Sequence, residues 1–148
     1  MRTLIVHNGA SGFGSDAVYL FERSLLHGGD RCEFRSLAAH WDADEAVADA
    51  DDFDLVVVSG GDGTVASLLY ALRRHRVNVC VFPSGTANLL FASLGNSPEP
   101  AALARACRIG RTMECDLGEV GWTDPDGRER RAGFTLMSGT GFDAELMR

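Results

Sequence analysis

Leu55-Val56-Val57-Val58-Ser59-Gly60-Gly61-Asp62-Gly63-Thr64 is the stretch on which the fold turns. Its first half is almost wholly apolar and β-branched, as a central strand covered on both faces must be, and it runs without a spacer into a glycine turn. On either side of it, short apolar runs alternate with helical patterns as far as residue ~110, the order of a parallel sheet with crossover helices. Upstream, Thr3 to His7 reads as a strand leading into Asn8 to Gly14. A helix follows over Asp16 to His27, with Val18, Phe21, Leu25 and Leu26 on one face, Ser15 as cap and Gly28-Gly29 as stop. Cys32, Phe34 and Ser36 then alternate with charged neighbours as a half-exposed strand does. Downstream, Val65 to Arg74 reads as a helix with Leu68, Leu69 and Leu72 inward, and Val77 to Phe82 as a further apolar strand. Two helices come next, Leu89 to Leu94 and Glu99 to Ile109, the second opened by Ser97 and Pro98.

After Gly110 the alternation stops. Met113 to Trp122 and Arg130 to Ser138 read as two strands joined by the turn Thr123-Asp124-Pro125-Asp126-Gly127, with no helix between them. This predicts an α/β domain over residues 1–112, an open, mainly parallel sheet with helices on both faces. Residues 113–148 are the first strands of a second domain with too little chain to close its own core. Their open edges and uncovered apolar face predict self-association through the hairpin.

Composition narrows the function. The chain has 148 residues, room for one ordinary domain, and all 14 of its basic residues are arginine. That removes a P-loop lysine, a Schiff-base lysine and the strand lysine of protein kinases. A net charge of -7 opposes binding to nucleic-acid phosphates. The stretch from Asp42 to Asp54 holds seven carboxylates and no cation, and reads as a solvated short helix and loop rather than a metal site. Cys32, Cys80, Cys107 and Cys115 form no CxxC pair and read as buried free thiols of a reducing compartment. No signal-peptide core follows Met1, and no apolar run approaches the ~20 residues of a membrane span, so a cytoplasmic protein is expected.

Ligands of open α/β sheets gather where loops leave the carboxyl ends of strands. Three glycine-rich segments take that position: Asn8 to Gly14, Gly60 to Thr64 and Ser84 to Asn88. Consecutive glycines let backbone N–H groups converge on one concavity, which suits a polyanionic phosphate where no lysine is present. Asp62 repels phosphate unless Mg2+ bridges the two or its carboxylate takes a proton from an attacking hydroxyl. Thr64 sits where a helix begins, able to cap it or to bind a phosphate oxygen. A tight turn with Thr64 as cap accounts for the middle segment alone. It does not account for the second Gly-Thr pair, Gly85-Thr86, after another buried strand.

Val58 to Thr64, followed about twenty residues later by Pro83-Ser84-Gly85-Thr86-Ala87-Asn88, resembles the paired signature of the diacylglycerol kinase catalytic domain family, which includes bacterial lipid kinases and the sphingosine and ceramide kinases. Asn8-Gly9-Ala10-Ser11-Gly12 is similar to its opening loop, and Asp116-Leu117-Gly118 and Gly139 to Ala144 to its passage into a second domain. Gly-Gly-Asp-Gly alone is shared with NAD kinases and phosphofructokinases. The resemblance implies ATP-dependent, Mg2+-requiring phosphorylation of a lipid hydroxyl, by a nucleotide-binding domain followed by a β-sandwich domain. By position it implies that Asn8, Ser11, Gly12, Ser36, Gly60, Gly61, Asp62, Gly63, Thr64, Gly85, Thr86 and Asn88 form the nucleotide site, with Asp62 as the catalytic group and the metal ligands unassigned.

This chain departs from the family pattern at Gly9, where proline is usual, at Val65-Ala66-Ser67, where an Asn-Glu pair is usual, and at Leu89-Leu90. The lost Asn-Glu pair fits a non-catalytic nucleotide-binding module, and the Gly-Gly-Asp-Gly motif a kinase of another branch, such as one acting on NAD. By the same resemblance, ATP binding without lipid turnover is expected of the isolated chain, and peripheral contact with an anionic membrane through Arg128, Arg130 and Arg131 is a further reading.

Overall fold

A computed structural model describes residues 1–11 and 16–138. Gly12, the Ser15 cap and the Gly139 to Ala144 segment lie outside the described residues. The strands are β1 (Arg2–His7), β2 (Arg31–Ser36), β3 (Leu55–Gly60), β4 (Asn78–Pro83), β5 (Gly118–Thr123) and β6 (Glu129–Phe134). The helices are α1 (Ala17–His27), α2 (Ala43–Ala46), α3 (Asp62–Leu72), α4 (Leu89–Leu94) and α5 (Pro100–Ile109).

The first four strands make one parallel sheet in the order β2-β1-β3-β4. The chain leaves β1 toward one edge and β3 toward the other, and right-handed crossovers then put α1 and α3 on opposite faces. Accordingly α1 packs with α5, and α3 with α2 and β6. Every residue of β3 is buried, the outcome its β-branched run predicts, and Val56, Val57 and Val58 each contribute about 1.5–3 kcal/mol by leaving water. β4 is an edge strand: Asn78 and Val79 are exposed, while Phe82 turns inward onto Phe21 of α1 with ring centroids 5.1 Å apart.

Several element boundaries differ from the sequence reading. Leu26 lies off the inner face of α1 and is 48% exposed, because Val18, Phe21 and Leu25 already fill that stripe. The cap position of α1 is Asp16, which makes no side-chain capping bond. α3 begins at Asp62 rather than Val65, with extended Gly61 as its cap residue, so the whole Asp62-Gly63-Thr64 segment is its first turn. An aspartate there complements the helix dipole, and Gly63 does not prevent the turn. α5 is capped by Glu99 rather than Ser97: the Glu99 carboxylate accepts from the amides of Ala101 and Ala102, and Pro100 takes the first position.

The two late strands are shorter than read. They pair antiparallel from Gly118 opposite Phe134 to Thr123 opposite Glu129, and the Phe134 ring closes over Gly118 where a Cβ would collide with it, ending the ladder. The expectation of an uncovered hairpin needs correcting on one face. Gly133 lies directly under the Tyr70 ring of α3, the Tyr70 hydroxyl donates to Glu119, and Arg73 stacks over that ring at 3.5 Å. Arg131 pairs with Glu119 at 2.8 Å and Arg130 with Asp124 at 3.0 Å, so two of the three arginines read as a membrane contact have carboxylate partners while their side chains stay exposed.

The acidic stretch is a short helix and loop as read, yet it is anchored. Ala46, Val47, Ala50 and Phe53 are buried, Asp49 binds Arg35, and Asp51 accepts from His75 and the Arg76 amide. The cysteines are less buried than expected. All four are free; Cys32, Cys80 and Cys107 are half-buried and Cys115 is exposed. Burial pushes the Cys32 thiol up to about 11.

One ion pair ties α5 to the end of α1. Buried Asp30 accepts from Arg108 Nε at 2.8 Å and from the α-amino group at 3.0 Å. Burial alone raises the Asp30 pKa, but the guanidinium and ammonium outweigh it and hold the carboxyl below its usual range. A depressed folded pKa stabilises the fold above the unfolded value of about 3.9, and that stability is lost as pH falls through the folded value. Asp30→Asn is expected to cost about 2 kcal/mol at pH 7, between the exposed and fully buried cases, and to flatten the acid side of a plot of melting temperature against pH.

Candidate functional site

In strand order β2-β1-β3-β4 the direction of winding reverses between β1 and β3, and the crevice beyond their carboxyl ends is where such sheets bind ligands. The three glycine-rich loops converge there. The first is fastened by Asn8: its amide donates to the Ser59 carbonyl at 2.8 Å, its Nδ2 to Thr64 Oγ1 at 2.8 Å, and its Oδ1 accepts from Ala10 at 3.1 Å. Asn8 and Thr64 thus satisfy each other, and Thr64 is buried, its side chain against Gly60. It lies inside the helix and makes no capping bond, so the cap role read for its hydroxyl does not match this placement.

The second and third loops touch. A Cβ at Gly85 would stand 2.5 Å from Gly61 Cα and 3.3 Å from Gly61 N, so backbone meets backbone. A Cβ at Gly61 would in turn lie 3.8 Å from Ser11 Oγ and 3.9 Å from Gly85 Cα. Asn88 closes its own loop in left-handed conformation at φ 50°, accepting from Gly85 N at 2.8 Å and donating to Gly85 O at 2.7 Å. Asp62 spans both loops, its Oδ1 accepting from Leu89 N at 2.7 Å across 27 residues of chain. Thr86 and Ser36 are exposed; Ser36 pairs with His7 at the end of β2, one strand away from the glycine contact.

What this leaves for a ligand is backbone. The first amides of a helix have no partner within it, and at α3 the cap residue is a glycine with no side chain to take them. Among the described residues, nothing lies within 4 Å of a Cβ position at Gly63. Amides at a dipole's positive end, reached without side-chain interference, suit an anion.

Beneath the loops, the sequence reading gave no role to His7 or Ser59 and took Ser84 only as the start of the third glycine-rich segment. His7 Nδ1 lies 2.9 Å from Ser59 Oγ, and Ser59 Oγ lies 2.6 Å from Ser84 Oγ. Their signal was a polar residue ending an apolar strand next to a glycine loop, which occurs at all three strand ends.

The family model of the diacylglycerol kinase catalytic domain matches residues 2–120. The chain belongs to this family. Within the diacylglycerol kinase family, a diacylglycerol kinase of Mycobacterium tuberculosis is 33% identical over 118 residues, 79% of this chain and 35% of that protein. A probable lipid kinase, YegS-like, of Klebsiella pneumoniae is 26% identical over 113 residues, 72% of this chain and 35% of its own length. A solved diacylglycerol kinase from Bacillus anthracis shares the fold with TM-score 0.65 at 21% identity, covering 86% of this chain and 48% of the other. The chain therefore spans about a third of those two relatives and about half of the solved one.

Membership in the diacylglycerol kinase family raises the question of a metal. Among the described residues no cluster of three or more His, Cys, Asp or Glu could hold one. Mg2+ arriving with nucleotide phosphates needs only one or two protein carboxylates, and Asp62, with Oδ1 on Leu89, has Oδ2 for that purpose. The donor set fits such a shared ion.

Proposed function

We propose that this chain is the nucleotide-binding part of a lipid kinase, which holds the phosphates of ATP at the junction of Gly61 and Gly85 for transfer to a lipid hydroxyl. The contact of those two glycines carries the reading: it brings both Gly-Thr loops to the uncapped end of α3 and excludes side chains from the ground between them. Asn8, Thr64 and Asn88 hold the loops in that arrangement, and the α3 amides face the phosphates.

In the transfer, the lipid oxygen attacks the γ-phosphorus, the bond to the β-phosphate oxygen breaks and ADP leaves; Asp62 Oδ2 would either take the hydroxyl proton or hold the Mg2+ while water takes that proton. Mg2+ neutralises phosphate charge when bound. Family membership supports the lipid-kinase class over the NAD-kinase alternative. The particular lipid, membrane contact and self-association through the hairpin edges stand as parts of this proposal.

Titration calorimetry with ATP, with and without Mg2+, tests it directly, and Gly63→Ala locates the site. Alanine in the first turn of α3 meets no atom of the described residues and favours the helix by up to about 1 kcal/mol, so the fold is expected to gain stability. The same methyl stands in the space assigned to the phosphates, and ATP binding is expected to weaken roughly tenfold, one phosphate hydrogen bond's worth. Unchanged affinity in the stabilised variant places the nucleotide elsewhere.

A further inference from the structure

His7, Ser59 and Ser84 make a chain of three polar side chains under the glycine loops. Ser59, wholly buried, stands between the other two at 2.9 Å and 2.6 Å. Each end of the chain belongs to a different loop of the site: His7 precedes Asn8, and Ser84 precedes the Gly85 that touches Gly61. The His7 ring is fixed in place by the edge of Tyr19 at 6.3 Å and by Phe34 at 5.8 Å. Burial lowers its pKa from the usual 6.5, so at neutral pH the ring is uncharged and its remaining freedom is which nitrogen carries the proton.

That choice sets the polarity of the chain, because each hydroxyl has one proton to give. With hydrogen on Nδ1, His7 donates to Ser59, Ser59 donates to Ser84, and the Ser84 proton is free for the half-exposed side of its loop. With Nδ1 bare, Ser59 donates to His7, Ser84 donates to Ser59, and Ser84 presents lone pairs outward. The heavy atoms are the same in both arrangements. A phosphate oxygen is attracted by the first and repelled by the second.

Resting on the nucleotide reading above, we propose that His7, Ser59 and Ser84 form a hydroxyl relay in which His7, a positioning residue, turns the Ser84 proton toward a phosphate oxygen. Ser84 then adds a side-chain donor to a site otherwise built of backbone amides. By linkage, phosphate binding draws the imidazole into its Nδ1–H tautomer as much as that tautomer favours binding.

The experiment records two-bond proton–nitrogen correlations of the imidazole rings in the nitrogen-15-labelled chain at neutral pH, free and with ATP and Mg2+, beside calorimetry on the same samples. ATP is expected to increase the Nδ1–H population of His7 in the wild type. In Ser84→Ala the ring is expected to stop responding, and ATP to bind roughly tenfold or more weakly, the loss of one hydrogen bond to a charged group. His7→Asn places an amide donor where Nδ1 stands and is expected to retain affinity, whereas His7→Leu fills the same space without a donor and loses it. Equal affinity of the Asn and Leu variants assigns His7 a packing role and overturns the relay. ATP bound with the ring unmoved, or a wild-type response in Ser84→Ala, overturns the relay and leaves the nucleotide site standing. No ATP binding by the wild type overturns the nucleotide reading itself, and the relay's ligand with it.

Discussion

Gly85→Ala is expected to separate the two glycine loops and abolish nucleotide binding. The added methyl would lie 2.5 Å from Gly61 Cα, 3.1 Å from Asn88 Oδ1 and 3.3 Å from Gly61 N. Two of those three atoms are backbone, and Gly61 is held between the wholly buried β3 and the first turn of α3. Retreat therefore falls to the Pro83 to Asn88 loop, whose Asn88 pairing with Gly85 is strained in the process. Overpacking of this kind costs about 1–3 kcal/mol of stability. The effect on ligand is larger, because amides from both loops lose their common target. Two lost phosphate hydrogen bonds correspond to an affinity drop of at least about a hundredfold. The backbone at Gly85 is not left-handed, so the penalty is collision and not conformational strain. Calorimetry with ATP, alongside a melting curve, separates the two losses. Wild-type affinity in this variant removes the junction from the site.

Asp62 is expected to show two separable roles. Its Oδ1 receives the Leu89 amide and so joins the first residue of α3 to the first residue of α4. Asparagine keeps a carbonyl oxygen for that amide but removes the charge; alanine removes both. Asp62→Ala is expected to lose about 1 kcal/mol of stability, the value of a helix-capping contact, and Asp62→Asn only a small part of it. Both are expected to lose the Mg2+-dependent increment of ATP binding, since neither keeps a charged oxygen for the ion. A stable Asn variant with full Mg2+ response takes the ion off Asp62. Thermal denaturation and titrations with and without Mg2+ give both readouts.

The sheet was legible because burial leaves a periodic trace. Leu55 to Ser59 could be placed at the centre since a strand covered on both faces has no polar alternation to confuse it. Boundaries were harder to place because they depend on competition between neighbouring caps. Glu99 outranks Ser97 for α5 because Pro100 fixes where the first turn begins, a choice that periodicity does not reveal. The start of α3 was misjudged for a related reason: Gly63 reads as turn, yet inside a first turn one glycine is tolerated.

The site divides in the same way. Glycines at positions 60, 61 and 85 stand out in the sequence because their lack of Cβ is itself the message. The polar residues read as ligand contacts also make hydrogen bonds of their own, Asn8 with Thr64 and Asn88 with Gly85. Which partner a buried amide finds depends on approach in three dimensions. His7, Ser59 and Ser84 stayed hidden for the same cause, since their spacing along the chain carries no period.

α3 begins at the glycine turn and carries Tyr70 two turns further on, about 12 Å along its axis, clasped to Gly133 and Glu119 of the hairpin. A helix is stiff over that distance. Any tilt of its glycine end by a few degrees would therefore carry to the antiparallel ribbon at the other.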